Sequence, residues 1–504
     1  MGDQSALGWK YDWLGNLEIA WQQEPETEAI ERVARRQLSI TDEESCTATF
    51  LAEGAFNKVY TVQHNPGEEY IMRIAAPVQP QLKTSSEVAT IEYIRQHTDV
   101  PVPNILGFEA TTANEIGFEW MLMDHVPGTK LGDGQWRSMS WLKKDVLVRK
   151  IVSYLAHLFN KRFKRLGNLY MTTAVPQAAH YSPTSTAHLV LLCDEQSCVD
   201  NNFCLGPIVD RNFFWGNHLN FNVHRGPYHS TQDWLHASLS LYLESAHNPV
   251  SVIADPDNAS DLGSDGEPNP HTTPSAIKLR IQRLIKLLPT IFPEDKGKVE
   301  EFVLHHSDLH ENNIFLDHNH DLSGIIDWEC VPTVPLWAAA EIPKFLQTPL
   351  DRHLCVDVAE YAQETITFDD GTQNEEPCAL FYEHLEEYEK TQLRTFFLQE
   401  MARMCPAWVE VHEGSKMKAA FGEIVATLSD RSNSQIVDEW LDAVEECGEA
   451  TSIGEMLHAY EQNELDRQYE ATQSGRGKEK MNRKVLGRLE SVVSRGETED
   501  AQHH

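Results

Sequence analysis

The chain has 504 residues, of which 41% are hydrophobic and 24% charged, enough to bury the core of one large two-lobed enzyme or of about three domains. Acidic residues outnumber basic ones by 77 to 42, and the formal net charge of −35 argues against nucleic acid or an anionic membrane as the main partner. The negative net charge is compatible with a small anionic ligand such as a nucleotide, since a few local cations, backbone N–H groups and Mg²⁺ can bind it.

The cysteines and the N-terminus indicate the compartment. Nine cysteines, without a C-x-x-C pair, favour free thiols in a reducing environment over a disulfide framework. No stretch approaches the roughly 18 apolar residues of a membrane span. The N-terminus shows no signal peptide, and Asp3, Asp12 and Glu18 precede the first arginine, Arg32, whereas a mitochondrial presequence is rich in arginine and poor in acids. We therefore expect a cytoplasmic protein.

The first part of the chain predicts an arm, a helix and then a small β lobe. Residues 1–43 combine an arm with one short amphipathic helix. Residues 44–128 predict strands at 48–52, 58–63 and 70–74, a helix at about 85–96, and strands at 105–109 and 119–123. Val100-Pro-Val-Pro103 ends that helix. This β-β-β-α-β-β order indicates a mostly antiparallel lobe with one helix.

The remaining chain predicts a larger, mainly helical lobe over residues 129–465. Helices are predicted at 140–160, 230–244, 277–288 and 296–303, with more up to about 460. Residues 248–274 are crowded with Asp, Asn, Ser, Gly and Pro, which predicts a mobile insertion. Residues 466–504 form a highly charged tail.

The strongest chemical signal is the run Val303-Leu-His-His-Ser-Asp-Leu-His-Glu-Asn-Asn-Ile-Phe-Leu316. A polar loop carries Asp308 and, five residues later, Asn313, where an apolar strand begins. After a polar turn, a second apolar strand, 324–326, ends at Asp327. Pairing of the two strands would place Asn313 and Asp327 at one end of a hairpin, close to Asp308. Two carboxylates and one amide oxygen suit Mg²⁺, which prefers oxygen ligands.

This pattern resembles a known family. His306-x-Asp308 with Asn313, followed by Asp327-Trp328, is similar to the catalytic loop and metal-binding aspartate of the aminoglycoside phosphotransferase and choline-kinase-like enzymes, which share the protein-kinase fold. The resemblance implies that Asp308 is the catalytic base that orients an acceptor hydroxyl and that His306 braces the loop. It also implies that Asn313 and Asp327 hold Mg²⁺ on the phosphates of ATP.

The small lobe carries further positions of this family. The loop between the first two strands, with Gly54, Phe56 and Asn57, could cover phosphates with its backbone. Arg73 stands where most kinase-fold enzymes have a lysine that bridges the α- and β-phosphates and a helix glutamate. Arginine keeps the charge and can bind phosphate in a fork, although it is longer. Glu87 is the expected glutamate, with Glu92 as the alternative.

The fold implied by the resemblance also predicts where adenine binds. The ring would lie between two pairs of apolar side chains and bond to the backbone of the segment after the last small-lobe strand. The residues concerned are Val59, Ile71, Phe315, Ile326, Met123 and His125. Several patches between about residues 47 and 345 are similar to one fungal branch, the "altered inheritance of mitochondria" proteins, in which arginine also appears at the Arg73 position. That branch name is the only indication of mitochondria.

Other interpretations use some of the same residues. His305, His306, Asp308 and His310 could belong to a zinc or di-metal hydrolase, although further ligands would have to come from elsewhere. The group Cys193, Cys198 and Cys204 could form part of a metal site. A pair of polar turns around a hairpin would leave the correlated positions unexplained.

The sequence therefore predicts a two-lobed α+β fold of the protein-kinase type. The predicted function is ATP- and Mg²⁺-dependent phosphoryl transfer to a hydroxyl of a small molecule, with no nucleic-acid partner. The alternative is a catalytically silent nucleotide-binding or scaffold protein, which Arg73 and the single-glycine loop favour. A protein kinase fits less well, because no Arg precedes Asp308 and no Phe-Gly follows Asp327. The sequence reveals neither the acceptor nor the oligomeric state.

Overall fold

The computed structural model describes residues 6–11, 17–41, 43–65, 67–172, 197–247, 270–295, 297–348, 351–367, 373–428 and 433–448, and the positions 452, 454–456 and 459. The chain divides into two compact units, 1–431 and 432–504. Most of the predicted insertion, at 248–269, and the whole predicted tail, at 466–504, lie outside the described residues.

The small lobe begins with a hairpin and contains one five-stranded sheet. Its elements are β1 (Leu7–Tyr11), β2 (Leu17–Trp21), α1 (Thr27–Leu38), β3 (Thr47–Glu53), β4 (Asn57–Gln63), β5 (Glu69–Ala75), α2 (Leu82–His97), β6 (Ile105–Glu109) and β7 (Glu119–Asp124). Strands β1 and β2 pair with each other, and the sheet has the antiparallel order β3-β4-β5-β7-β6. The β-β-β-α-β-β order is therefore confirmed, and the β1–β2 hairpin is an addition within the predicted arm.

The two faces of the five-stranded sheet have different partners, because successive side chains of a strand point to opposite faces. One face packs on α1 and forms a core of its own, built from Ile30, Val33, Ala34, Tyr60, Val62, Met72, Ile74, Trp120 and Leu122. The opposite face carries Asn57, Val59, Ile71, Arg73, Met121 and Met123. Met121 and Met123 belong to the core of the large lobe, so this second face is turned towards it.

The large lobe is mainly helical, with short strands around the catalytic run. Its elements are β8 (Thr129–Lys130), α3 (Trp136–Ser138), α4 (Trp141–Asn160), β9 (Asn168–Met171), β10 (Phe203–Gly206), α5 (Arg211–Phe214), α6 (Thr231–His247), α7 (Pro274–Ile291), β11 (Phe302–Leu304), β12 (Ile314–Leu316), β13 (Leu322–Ile325), β14 (Thr333–Pro335), α8 (Leu336–Ala339), β15 (Gln363–Thr367), β16 (Gln373–Pro377), α9 (Ala379–Met404), α10 (Pro406–Gly414) and α11 (Lys416–Thr427). The second unit contains α12 (Ser434–Cys447) in its described part.

Two local predictions for the large lobe were wrong. The helix expected at 296–303 does not form, because Phe302 and Val303 pair with Pro335 and Val334 in a β11–β14 ladder across some thirty residues of chain. Val299, within the predicted helix, is 72% exposed. The C-terminal boundary predicted for the mobile insertion, residue 274, was also too late in the chain. Residues 270–274 contain a 3₁₀ turn and the first residue of α7.

The helices and the cysteines of the described ranges show neither a membrane span nor a disulfide. None of the helices there combines the length and the apolar composition that crossing a bilayer requires. The cysteines of these ranges form no disulfide. Cys193, one of the three cysteines of the predicted metal-binding group, lies outside the described residues.

Buried Glu119 predicts a pH dependence of stability. Glu119 opens β7, is 2% exposed and accepts the backbone N–H of Gln81 at 2.6 Å. Burial raises the pKa of Glu119 to about 7, whereas an unfolded-chain glutamate titrates at about 4.3. Between these values the folded protein holds a proton that the unfolded chain has lost. The contribution of Glu119 to the free energy of unfolding therefore falls as pH rises, by at most about 1.4 kcal/mol per pH unit.

Glu119→Gln tests this contribution, because glutamine keeps the acceptor oxygen for Gln81 and does not ionise. We expect the variant to gain stability relative to the wild type between pH 5 and pH 8, measured as the free energy of urea unfolding at each pH. A difference between the two proteins that stays constant over this range would contradict the pKa assignment.

Candidate active site

The hairpin places Asn313 and Asp327 at the same end. Strands β12 and β13 pair antiparallel, with Ile314 opposite Ile325, and the Ile326 N–H donates to the Asn313 carbonyl at 3.0 Å. Asp327 follows with a φ of 67°, in the left-handed region that aspartate tolerates better than most side chains. The backbone thus turns away from the direction of β13 at Asp327, the residue expected to bind the metal.

His306 ties the catalytic loop to this hairpin. Its Nε2 lies 3.0 Å from the Ile326 carbonyl, and its Nδ1 accepts the backbone N–H of Asp308 at 3.3 Å. These two bonds require the neutral tautomer with the proton on Nε2. Burial lowers the pKa of His306 to about 4, so the ring is neutral at pH 7. His306 braces the loop and is not placed to exchange a proton there.

Asn313 directs an oxygen away from the loop. Its Nδ2 donates to the Asp308 carbonyl at 2.9 Å and lies 3.3 Å from His310 Nε2. The amide hydrogens therefore hold the loop closed, and no donor among the described residues reaches Oδ1. Asn313 is 5% exposed, so this orientation is fixed by its surroundings.

Asp308 is half exposed and forms an ion pair with Lys344. Lys344 Nζ lies 2.7 Å from Asp308 Oδ1, and His310 Nε2 lies 3.5 Å from Oδ2. Partial burial raises the pKa of Asp308, but the bonded Lys344 ammonium outweighs it and keeps the pKa below the ordinary value. Asp308 is therefore a carboxylate at neutral pH, accessible from the solvent.

Arg73 links the small lobe to the hairpin through three carboxylates. Its Nη1 donates to Glu87 on α2, and its Nη2 lies 3.1 Å from both Asp327 Oδ1 and Glu329 Oε2. The partner on α2 is thus Glu87, since Glu92 pairs with Arg95 of the same helix.

Lys83 and Asn57 complete this charged cluster. Lys83 Nζ lies 2.6 Å from Glu329 Oε2 and 3.1 Å from Asn57 Oδ1, while Asn57 Nδ2 donates to Glu329 at 2.7 Å. Lys83 is 1% exposed. Burial raises the pKa of Glu329, but Lys83 and Arg73 outweigh it and bring the pKa to about 2.

The cluster has one positive charge too few. Among the described residues, Glu87, Asp327 and Glu329 form ion pairs with two cations, Arg73 and Lys83. Burial raises the pKa of Glu87 to about 7, against the lowering by the two cations. Burial and Glu329 raise the pKa of Asp327, against the lowering by Arg73. An additional cation bound at Asp327 would therefore balance the third carboxylate of the cluster.

The other predicted nucleotide contacts divide into two groups. Val59, Ile71 and Met123 share the inner face of the sheet with Arg73, while Phe315 pairs with Gly324 in the hairpin that Ile326 follows. His125 lies 3.7 Å from Glu69, at the edge of the lobe. The Arg73–Asp327 ion pair connects the sheet that carries the first group with the hairpin that carries the second.

The loop at Gly54 is closed by a backbone hydrogen bond, and the side chains of Phe56 and Asn57 have other partners. The Gly54 N–H donates to the Asn57 carbonyl at 2.9 Å, which closes the turn. Phe56 is buried, with its ring 5.2 Å from that of Phe214 and 6.1 Å from that of Trp215. Its side chain is thus part of a hydrophobic cluster, and the Asn57 side chain is engaged by Lys83 and Glu329.

The histidines of the alternative metal site have separate partners. His305 Nε2 lies 2.9 Å from Glu341 Oε1, whereas His306 Nε2 bonds to the Ile326 carbonyl. Across the described ranges, no three His, Cys, Asp or Glu side chains are grouped as metal ligands. The hydrolase interpretation lacks its ligand set in these ranges.

Three residues of this site were absent from the sequence prediction. Glu329 follows Asp327 by two residues, and Lys83 precedes Glu87 by one helical turn, so both lie next to residues that were predicted, although nothing in the sequence indicates that they are buried. Lys344 has no such signal, because only the tertiary fold brings it to Asp308.

One family model matches part of the chain. The sequence model described as "Phosphotransferase enzyme family" matches residues 47–184 and 263–337. This match confirms the predicted resemblance to the family and the kinase-like α+β fold. The matched ranges include Arg73, Glu87, Asp308, Asn313 and Asp327.

Fungal relatives support the predicted branch. The chain is 26% identical to the "Subtelomeric hrmA-associated cluster protein" of Aspergillus fumigatus, over 58% of this chain and 59% of that protein. It is 23% identical to "Altered inheritance of mitochondria protein 9, mitochondrial" of Yarrowia lipolytica, over 55% of this chain and 48% of that protein. The chain thus spans about half the length of the curated relatives it matches.

Solved structures show a more distant likeness. A thermostable mutant of aminoglycoside phosphotransferase APH(4)-Ia is 12% identical, with a TM-score of 0.39 over 84% of this chain and 100% of that chain. The streptomycin-ATP-APH(2″)-IIa ternary complex is 10% identical, with a TM-score of 0.40 over 82% of this chain and 97% of that chain. Because these scores are below 0.5, the fold assignment rests on the family match and on the order of the strands.

Proposed function

We propose that the protein is an ATP- and Mg²⁺-dependent phosphotransferase that transfers the γ-phosphoryl group to a hydroxyl of a small molecule. The observation that carries this proposal is the joint position of Asp308, Asn313 and Asp327 at one end of the β12–β13 hairpin, beside the Arg73 cluster. We assign nucleotide binding to residues 44–128 together with the hairpin, and acceptor binding to the helical part of residues 129–465.

The residues fit a magnesium ion and a nucleotide. Asp327 and Asn313 would hold Mg²⁺, since each has an oxygen at the hairpin end and the cluster lacks one positive charge. The buried Nε–H of Arg73 has no acceptor among the described residues, and a phosphate oxygen would supply one. When bound, Mg²⁺ neutralises phosphate charge during transfer. Adenine would occupy the cleft between Val59 and Ile71 on one side and the hairpin on the other.

The protein's own groups then act by positioning. The Asp308 carboxylate accepts a hydrogen bond from the acceptor hydroxyl, aligns its oxygen with the γ-phosphorus and takes its proton. His306 holds Asp308 in place through the backbone N–H of that residue. Glu87 fixes Arg73 from the α2 side. The acceptor remains to be identified, although the net charge of −35 is compatible with a cationic amine or aminosugar.

The compartment is a separate proposal. The sequence favours the cytoplasm, whereas the names of the yeast relatives indicate the mitochondrion. We propose the cytoplasm, with the mitochondrion as the alternative that the names of these relatives suggest.

A nucleotide-binding protein without turnover is the second candidate. Arg73 favours it, because three carboxylates already engage its guanidinium and it replaces the usual lysine. The retention of Asp308, Asn313 and Asp327 together favours the enzyme.

Turnover separates the two candidates. The full chain is incubated with Mg²⁺·ATP and a panel of sugars, aminosugars and amino alcohols, and ADP release and phosphorylated product are measured. The proposal expects Mg²⁺-dependent ADP release matched by product for at least one class of acceptor. Nucleotide binding without any ADP release, with water or with any acceptor, would support the silent protein.

A further inference from the structure

A lysine beyond the family match touches the carboxylate assigned as the base. Lys344 Nζ lies 2.7 Å from Asp308 Oδ1, and the two side chains are each 50% exposed. The matched residues end at 337, so the family match assigns no role to Lys344. The pair is open to solvent, and a ligand can therefore reach both groups.

The position of Lys344 is set by backbone packing. It begins a 3₁₀ turn, Lys344–Leu346, whose next two residues, Phe345 and Leu346, are fully buried. The Phe345 N–H donates to the Leu309 carbonyl at 3.0 Å, which ties the turn directly to the catalytic loop. Arg394 Nη1 donates to the Leu346 carbonyl at 2.7 Å from α9. The lysine is thus held at the base by the fold, through contacts that do not involve its own side chain.

The ion pair itself contributes little to folding. Exposed pairs are screened by water and lose side-chain freedom when they form. The anchors of the turn are the buried Phe345 and Leu346 and two backbone hydrogen bonds, none of which requires an ammonium group. Substitution of Lys344 should therefore leave the fold unchanged, which makes its chemical role accessible to experiment.

We propose that Lys344 is a catalytic residue of the phosphoryl transfer, an inference that rests on the proposed function. The hydroxyl that Asp308 orients lies next to the phosphoryl group, so an ammonium within hydrogen-bond distance of Asp308 is adjacent to both. In the transfer, the bond from the γ-phosphorus to the β–γ bridging oxygen breaks and its electron pair leaves on ADP. The acceptor oxygen bonds to phosphorus and its proton passes to Asp308. Lys344 donates a hydrogen bond to a non-bridging phosphoryl oxygen, and its positive charge stabilises the negative charge on that oxygen.

Hydrolysis of Mg²⁺·ATP, with water as the acceptor, tests this role in the full chain. For Lys344→Met we expect kcat to fall by about 10²–10³-fold, the usual cost of one lost stabilising donor. The KM for ATP should stay within about twofold, because the proposed interaction stabilises the charge that develops in the transition state and adds little to the binding of ground-state ATP. Lys344→Arg should recover part of kcat, since it keeps the charge and the donors.

Lys143→Met is the matched control. Lys143 forms another partly exposed pair, 3.1 Å from Asp321, and lies outside the proposed machinery. It should retain wild-type kcat, and both methionine variants should retain the wild-type melting temperature.

Each contrary result has a distinct meaning. Unchanged kcat in Lys344→Met, while the wild type hydrolyses ATP, overturns the role of the lysine and leaves the proposed function in place. A rise in kcat also overturns it, because the lysine would then block Asp308. No ATP turnover by the wild type, with water or with any compound of the acceptor panel, overturns both proposals.

Discussion

Replacement of Asp308 by alanine should lower kcat by about 10²–10⁴-fold, the range for loss of a general base. The side chain of Asp308 should contribute little to the stability of the fold. It is half exposed and, in the described ranges, contacts only Lys344 and His310. His306 and Asn313 bond to the backbone of residue 308, and alanine keeps that backbone. The loop should therefore keep its shape while the chemistry is lost.

The measurement is kcat for ADP release with the best acceptor of the panel, or with water. Asp308→Asn separates proton acceptance from orientation, because the amide still accepts a hydrogen bond from the hydroxyl but is not a base. It should be nearly as slow as Asp308→Ala if proton acceptance dominates. Mg²⁺-dependent nucleotide binding should be unchanged in both variants. Turnover within about threefold of the wild type in Asp308→Ala would remove Asp308 from the mechanism.

Replacement of Glu329 by alanine should give the largest loss of stability. Glu329 contacts Arg73, Lys83 and Asn57. Its removal leaves Lys83, 1% exposed, without its ion-pair partner. Breaking a buried ion pair costs about 3–5 kcal/mol. The cluster as a whole would then have two acids for two cations, but among the described residues Glu329 is the acid within ion-pair distance of Lys83. We expect a decrease of this size in the free energy of urea unfolding.

A double variant distinguishes this explanation from a simple loss of contacts. Lys83→Met with Glu329→Gln leaves no unpaired buried charge at the pair, so it should lose less stability than Glu329→Ala alone. Asp321→Ala is the matched control, since it breaks an exposed pair with Lys143 and should cost about 0–1 kcal/mol. A loss below about 1 kcal/mol in Glu329→Ala would show that Lys83 finds another counterion.

The small lobe could be predicted from the sequence because its signals are local. Alternating apolar residues, turns and the Val100-Pro-Val-Pro103 stop determine each element without reference to distant residues. The catalytic hairpin could be predicted for the same reason, since its strands and its polar ends lie in one continuous run. Helix 296–303 was wrong because the segment instead joins β14, and long-range pairing leaves no mark in the local pattern.

The candidate site likewise contains residues that the sequence predicted and residues that only the tertiary fold brings together. Asp308, Asn313 and Asp327 follow from their spacing, and Arg73 with Glu87 follows from the resemblance to the family. Lys344 reaches Asp308 only through the packing of the turn that begins at Lys344 on the catalytic loop. The buried cluster around Glu329 was missed because a charged residue next to a motif carries no sequence mark of burial. Its partners are separated by as many as 272 positions, from Asn57 to Glu329.

The most direct test of the account is nucleotide binding at Asp327. Unfolding of the full chain is followed with and without Mg²⁺·ATP, with EDTA as the metal-free condition, for the wild type and Asp327→Ala. A ligand at about 100 times its Kd should stabilise the wild type by about 2.7 kcal/mol. The account predicts that this stabilisation requires Mg²⁺ and is absent in Asp327→Ala, whereas Asp321→Ala retains it. No stabilisation of the wild type at millimolar nucleotide, or an equal one in Asp327→Ala, would contradict a metal-dependent nucleotide site at this hairpin.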